Sequence, residues 1–157
     1  MATPSPTTAL QTEFATMTVL LDLLKQEQEY LVSADTEALE QATPAKTDMV
    51  RQMAAATSGR HQALAAAGFP ASDKGMESWI GATADASATS LWNALLDLTR
   101  EAKEQNRVNG MLIARHIAHN QNLLNAMRQP AAGTDSPVYG PSGQTQPAGP
   151  SRRFVLG

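Results

Sequence analysis

Apolar side chains recur at steps of three and four residues near the start of the chain, the spacing of an amphipathic helix. We predict a first helix that begins near Thr7 or Thr8, after the helix-breaking Pro4 and Pro6. Ser33 to Asp35 provides a stop and an N-cap for the next helix. The stripe consists of Leu10, Phe14, Met17, Leu21, Leu24 and Leu31.

A second stripe runs from Lys46 to Ala67 and predicts another helix. Thr43 and Pro44 match an N-cap followed by the first helical position, where proline is tolerated, so we place a bend there. Gly68 with the Phe69-Pro70 pair after it is a C-terminal stop signal. The helix is expected to end at about Ala67.

A short third segment carries Met76, Trp79 and Ile80, and Ser72 or Asp73 can cap it. Asp85 or Ser87 then opens a stripe of roughly 40 residues, which is about 60 Å of helix at 1.5 Å per residue. We expect the earlier helices to pack antiparallel against this stripe, and any uncovered part to be a docking face. Its positions are Leu91, Leu95, Leu98, Ala102, Asn106, Asn109, Ile113, Ile117, Asn120, Leu124 and Met127.

Aromatic residues make up only 4% of the chain, and β-branched residues are sparse. This composition favours helices over sheets. The predicted fold is all-α: an antiparallel helical hairpin or three-helix bundle with coiled-coil character, one very long C-terminal helix and a disordered tail. We expect a helical bundle domain over residues 1–129 and a flexible tail over residues 130–157.

Proline and glycine fill nine of the 21 positions from Pro130 to Pro150, a composition typical of disorder. Two apolar clusters interrupt this tail, one at Val138-Tyr139 and one at Phe154-Val155-Leu156. Isolated apolar clusters on a flexible chain are common in short docking segments, although they can equally have no role.

The net charge of −3 argues against nucleic acid as a partner, because such binding needs clustered Lys and Arg to neutralise phosphates. The charge is unevenly distributed. Seven carboxylates and one lysine give residues 10–42 a charge of −6, whereas five cations and two carboxylates give residues 100–128 a charge of +3. Helices of opposite sign attract each other modestly.

The chain has no cysteine, which excludes disulfides and thiolate metal sites and is compatible with a reducing compartment. The first ten residues carry no basic side chain and no continuous apolar stretch. Nowhere do about 18 apolar residues run together, as a membrane span requires. We expect a cytoplasmic protein without stable membrane insertion.

Catalytic and metal-binding motifs are weak. His116 and His119 have helical ligand spacing, but a zinc site needs three or four ligands and no further ligand motif accompanies them. No phosphate-binding glycine loop and no nucleophile elbow is present. We expect no enzyme activity, no metal and no cofactor.

Three asparagines, Asn106, Asn109 and Asn120, occupy stripe positions where an apolar residue would stabilise a bundle better. They can fix the helix register, as a buried asparagine does in a coiled coil. Alternatively, they line a partly open groove in which a partner helix docks.

Four segments form a recognisable combination: Leu23-Leu24-x-x-Glu27, Asn106-Arg-Val-Asn-Gly-Met-Leu-Ile113, Ile117-x-x-Asn120-Gln121-x-x-Leu124 and Val138-Tyr139-Gly140-x-x-Gly143-Gln144-Thr145. They accompany an acidic first helix, Lys46 at the opening of the second long helix and Trp92 early in the last one. Together these features resemble the FlgN family of flagellar type III export chaperones. The resemblance covers nearly the whole chain.

The resemblance implies a cytoplasmic chaperone that binds the amphipathic C-terminal helix of the hook-associated (hook-filament junction) proteins. Such a chaperone prevents premature assembly and delivers the subunits to the flagellar export apparatus, at its gate or ATPase. The alternative from the residues alone is a homodimeric coiled-coil adaptor without cargo. The partner-binding residues implied are Asn106, Asn109, Ile113, Ile117, Asn120 and Leu124 in the last helix, and Tyr139, Gly140, Phe154 and Val155 in the tail.

Overall fold

The computed structural model describes residues 2–129, and these residues fold into four helices without a strand. The predicted all-α class, with a hairpin and one very long C-terminal helix, is confirmed. Predictions about residues 130–157 lie outside the described part of the chain. The helices are α1 (Pro6–Ser33), α2 (Thr36–Ala66), α3 (Asp73–Thr83) and α4 (Ala86–Arg128).

The junctions of the first two helices follow local capping chemistry. The Ser5 hydroxyl accepts a hydrogen bond from the Thr8 amide, so α1 begins at Pro6 rather than after it. Proline suits the first helical position because the amide hydrogen it lacks has no partner there. After Ala34, which adopts a left-handed conformation (φ 54°), the Asp35 carboxylate accepts from the Ala38 amide and caps α2.

The predicted helix start at Thr43-Pro44 is wrong, because α2 runs through both residues. Pro44 cannot donate to the carbonyl of Glu40, a loss that normally disrupts a helix interior. Both residues are exposed, and the Thr43 hydroxyl donates to the Leu39 carbonyl at 2.8 Å. We attribute the continuity to the packing of α2 on α1, which holds the segments on both sides of Pro44.

The third helix is held by a tight approach between Gly75 and the preceding loop. The Ser72 hydroxyl accepts from the Gly75 amide at 3.0 Å and caps α3, as predicted. A Cβ atom on Gly75 would lie 1.8 Å from the Pro70 carbonyl oxygen. No larger residue fits without moving the backbone.

Replacing Gly75 with alanine should therefore lower the free energy of unfolding by about 1–3 kcal/mol, the usual cost of overpacking. Urea denaturation followed by circular dichroism measures this change. The matched control is Gly81→Ala in the same helix, where a Cβ meets nothing within 4 Å. The control should gain up to about 1 kcal/mol from the higher helix propensity of alanine. Equal effects of the two changes would contradict this account of Gly75.

Two polar contacts set the register of the α1–α2 hairpin. Near the turn, Lys46 of α2 binds the Glu27 carboxylate at 2.9 Å, and further along, Arg60 binds the Glu13 carboxylate. The two acids are as far apart along α1 as the two bases are along α2. The helices are therefore antiparallel, and a shift by one turn would break both pairs at once.

The fourth helix runs antiparallel to α2 and, unlike the prediction, parallel to α1. Its early residue Trp92 stacks on Arg60 beside Glu13, whereas its later residue Asn109 contacts Leu24 and Glu27. This direction follows because the chain reverses once at the α1–α2 turn and has one net reversal between α2 and α4. The buried core consists of Leu10, Met17, Leu20, Leu21, Leu24, Leu64, Met76, Trp92, Leu95 and Ala102.

The chain divides into two compact units, one that ends at Ile117 and one that begins at Ala118. The three-helix packing lies in the first unit. The predicted boundary between residues 129 and 130 concerns residues beyond the described ones and stays a prediction. None of the helices within residues 2–129 has the length and apolar content needed to cross a membrane.

Candidate partner-binding surface

The buried part of α4 ends at Asn109, although its apolar residues continue. In the first unit, Met111, Ile113 and Ile117 are 56%, 39% and 53% exposed. No residue from Gly110 to Ile117 is buried. Isoleucine is usually found inside proteins, so a series of exposed apolar residues on one helix marks an interaction surface.

The described residues of the second unit also include exposed apolar side chains. Leu123 and Leu124 are about half exposed, Met127 is 82% exposed, and Asn120 is exposed as well. No residue from Ala118 to Gln129 is buried. We define the exposed stripe as Ile113 and Ile117 of the first unit, which lie four residues apart on one face of α4.

Asn109 belongs to the interior and not to this exposed stripe. It is 1% exposed, and its amide nitrogen donates to the Leu24 carbonyl and to the Glu27 carboxylate, both at 2.8 Å. Its amide oxygen accepts from Gln105 at 3.2 Å. Because Lys46 binds the same Glu27 carboxylate, this cluster joins α1, α2 and α4.

The three asparagines of the stripe therefore differ in their surroundings. Asn109 has the contacts of a register-fixing residue, because its hydrogen bonds form only when α4 is correctly aligned with α1. Asn106 and Asn120 are exposed and have no hydrogen bond from their side chains within residues 2–129. They are free to pair with a partner.

Positive charge surrounds the first part of the exposed stripe. Between residues 105 and 129 there is no Asp or Glu. Arg107 binds Glu104 at 2.7 Å, and this hydrogen bond lowers the pKa of Glu104 and raises the pKa of Arg107. Lys103 and Arg115 have no carboxylate partner among the described residues. The region favours acidic groups in a partner.

The described residues contain no group of three or more His, Asp or Glu side chains placed to hold a metal ion. His116 is half-buried and His119 is exposed, and neither makes a hydrogen bond within residues 2–129.

A family model described as "FlgN protein" matches residues 1–147. The chain belongs to the FlgN family. A curated relative, "Flagella synthesis protein FlgN" of Proteus mirabilis, is 39% identical over 56 residues. The matched segment covers 36% of this chain and 36% of that relative, so the chain spans only about a third of its length. No solved structure matches the chain.

Residues quoted for the resemblance to FlgN meet in one place in this FlgN-family chain. Leu24 and Glu27 of α1, Lys46 of α2 and Asn109 of α4 come from three separate segments. The structure joins them through the hydrogen bonds of Asn109 and Lys46 to Glu27 and Leu24. These residues thus hold the three long helices of this FlgN-family chain together.

The sequence-derived site residues fall into three groups. Asn106, Ile113, Ile117, Asn120 and Leu124 are exposed, and Asn109 is internal. Sequence analysis missed Met111 and Leu123, because neither falls on the counted steps of three and four residues, yet their apolar character was a signal. Tyr139, Gly140, Phe154 and Val155 lie outside the described residues.

Proposed function

We propose that this FlgN-family chain is a cytoplasmic export chaperone for flagellar subunits. It binds the amphipathic C-terminal helix of hook-associated proteins, prevents their premature assembly and delivers them to the flagellar type III export apparatus. Family membership and the flagella-synthesis name of the Proteus mirabilis relative support the flagellar assignment. The protein acts by binding and not by catalysis.

The exposed stripe is the observation that carries this proposal. An amphipathic helix presents apolar side chains at steps of three and four, and these match a stripe of the same spacing on a second helix. Burial of apolar surface contributes about 25 cal/mol per Å². A guest helix that packs on the stripe would bury apolar surface that the chain's own helices leave exposed, and this burial would stabilise the complex.

Within this proposal the residues have separate roles. Ile113, Ile117 and Leu124 supply apolar contacts, whereas Asn106 and Asn120 pair with polar groups of the cargo. Asn109 acts indirectly, because it holds α4 in register. Tyr139, Gly140, Phe154 and Val155 are proposed to contact cargo or the export gate.

Replacing Ile117 with aspartate tests the proposal. A carboxylate in an apolar interface should weaken binding of a hook-associated C-terminal segment about a hundredfold, which equals ~2.7 kcal/mol. Isothermal titration calorimetry with the full-length chain measures the affinity. Because Ile117 is half exposed, the midpoint of thermal unfolding should change little.

Val19→Asp is the matched control, because Val19 is 45% exposed but lies on α1. It should leave the affinity unchanged. Equal affinities of the Ile117→Asp variant and the wild-type chain would contradict the proposed surface.

A homodimeric adaptor is the alternative use of the same exposed stripe, because a second copy could cover it. Sedimentation of the free protein distinguishes the two functions. The chaperone should form a stoichiometric complex with the cargo segment. A dimer that Ile117→Asp dissociates, with no complex formed with any hook-associated segment, would support the adaptor instead.

A further inference from the structure

A second apolar feature of the first unit is an open groove of about 220 Å³ between α2 and α4. Its floor is formed by α1, and Met17, Leu20 and Leu24 on this floor are buried. Binding pockets for small molecules usually have volumes of about 300–1,000 Å³. The groove is smaller and suits one or two large side chains of a partner.

The walls of the groove combine apolar and basic groups. Val50 and Lys46 form the α2 wall, and Val50 is half exposed. On the α4 wall, Thr99 and Ala102 are followed by Lys103 and Asn106 at the exposed rim. An occupant that is apolar at its centre and acidic at its edge is complementary to these walls.

The two lysines at the rim differ in their availability. Lys46 is held by both oxygens of the Glu27 carboxylate, at 3.0 and 2.9 Å. Lys103 has no such partner among the described residues. Its positive charge therefore favours an occupant with a carboxylate. Only Lys103 can form a new ion pair without breaking an existing one.

The α4 wall is continuous with the proposed cargo surface. Steps of three and four residues lead from Thr99 through Lys103 and Asn106 to Gly110, Ile113 and Ile117. These positions share one face of the helix. A helix that enters the groove can therefore extend along the exposed residues of the first unit.

We propose that this groove binds an acidic amphipathic helix, with one large apolar side chain seated on Met17, Leu20 and Leu24 and a neighbouring carboxylate paired with Lys103. The inference rests on the proposed function, because it specifies the chemistry of the cargo helix. The guest adds a fourth long helix, between α2 and α4.

Two designed peptides of 18 residues test the proposal with the full-length chain. Both carry the same leucine face, and their polar faces carry either glutamate or lysine. In about 50 mM salt the glutamate peptide should bind at least tenfold more tightly. This preference should shrink at about 0.5 M salt, where the charges are screened. Equal binding of the two peptides at low salt would overturn the proposal.

Two variants of the chain locate the binding site. Lys103→Glu should weaken the glutamate peptide about tenfold and strengthen the lysine peptide, whereas Arg51→Glu, an exposed cation on α2, should change neither. Val50→Asp should weaken both peptides, and the Val19→Asp control should not. The proposal is overturned if Lys103→Glu and Arg51→Glu act alike.

The outcome separates this inference from the proposed function. Hook-associated segments that bind the chain without any loss in Lys103→Glu would overturn the groove assignment alone. Tight binding of the glutamate peptide, with no hook-associated segment bound, would support the groove and contradict the flagellar cargo. Self-association that Val50→Asp or Lys103→Glu abolishes would overturn the proposal, because a second copy would then be the occupant.

Discussion

Replacing Arg60 with alanine is expected to lower the free energy of unfolding by about 3–5 kcal/mol, because the change leaves a buried carboxylate unpaired. The side chains of Arg60 and Glu13 are 3% and 4% exposed, and they form an ion pair. Without Arg60, the Glu13 carboxylate keeps only the Thr57 hydroxyl, which donates to it at 2.8 Å. One neutral donor does not compensate a buried charge.

Two further contacts add to this loss. The guanidinium of Arg60 lies 4.8 Å from the centre of the Trp92 ring, and its Nη2 atom binds Asp73 at 3.0 Å. Arg60 thus connects α2 with α1, α3 and α4. Truncation opens a cavity at the position where all four helices meet.

Urea denaturation of the full-length chain measures the effect, and Arg51→Ala is the control. Arg51 is on the same helix and pairs with Asp48, but its side chain is 80% exposed. Exposed ion pairs contribute about 0–1 kcal/mol, so Arg51→Ala should lower the free energy of unfolding by no more than about 1 kcal/mol. A loss below about 1 kcal/mol in Arg60→Ala would contradict the assigned role.

A double variant separates the ion pair from the packing. Glu13→Leu together with Arg60→Met removes both charges and keeps the side-chain volume. Replacing a buried pair in this way is often neutral or stabilising. The double variant should therefore be more stable than Arg60→Ala, and the reverse order would contradict this explanation.

Replacing Leu64 with alanine is expected to cost about 2–5 kcal/mol, the range for leucine truncation in a packed core. Leu64 is fully buried at 0% exposure, and it lies in the core with Leu10, Met76 and Trp92. This core contains residues from all four helices. The remaining atoms cannot close the space completely because they are held on rigid helices.

The informative comparison is Leu124→Ala, at an exposed apolar residue of the second unit. Leu124 is 51% exposed, so the same chemical change should cost less than about 0.5 kcal/mol in the free protein. Thermal unfolding without cargo measures both variants. Comparable losses would show that the free chain covers Leu124, and this result would contradict the proposed role of Leu124 in cargo binding.

Local sequence signals predicted most helix boundaries. The predicted ends near Ser33 and Ala67 lie within about one residue of the observed ends. Of the two predicted caps of α4, Asp85 and Ser87, the structure uses Asp85, which accepts from the amides of Ser87 and Ala88. Pro44 is the exception, because its effect depends on the helix packed beside it.

The buried ion pairs had a signal that sequence analysis did not use. Glu13 and Glu27 occupy helical steps between leucines and methionine on α1, and Lys46 and Arg60 occupy the matching steps on α2. Acids at core positions of one helix and bases at core positions of the next indicate pairing across an antiparallel hairpin. Their equal spacing along the two helices predicts the register.

The candidate site was predicted only in part. The stripe on α4 placed Asn106, Asn109 and Ile113 on equivalent positions, yet Asn109 is buried and the other two are exposed. The groove between α2 and α4 was not predicted, because its lining comes from three helices. A pattern along one helix cannot indicate how far apart its neighbours lie.

The sequence alone determined the all-α class, most of the helix ends and the apolar face of each helix. These properties depend on hydrogen bonds and spacings within a few residues, which the order of amino acids specifies directly. The tertiary structure alone decided that Asn109 is internal and that Ile113 and Ile117 are exposed. Burial depends on where other helices lie, and α1 and α2 cover α4 only as far as Asn109.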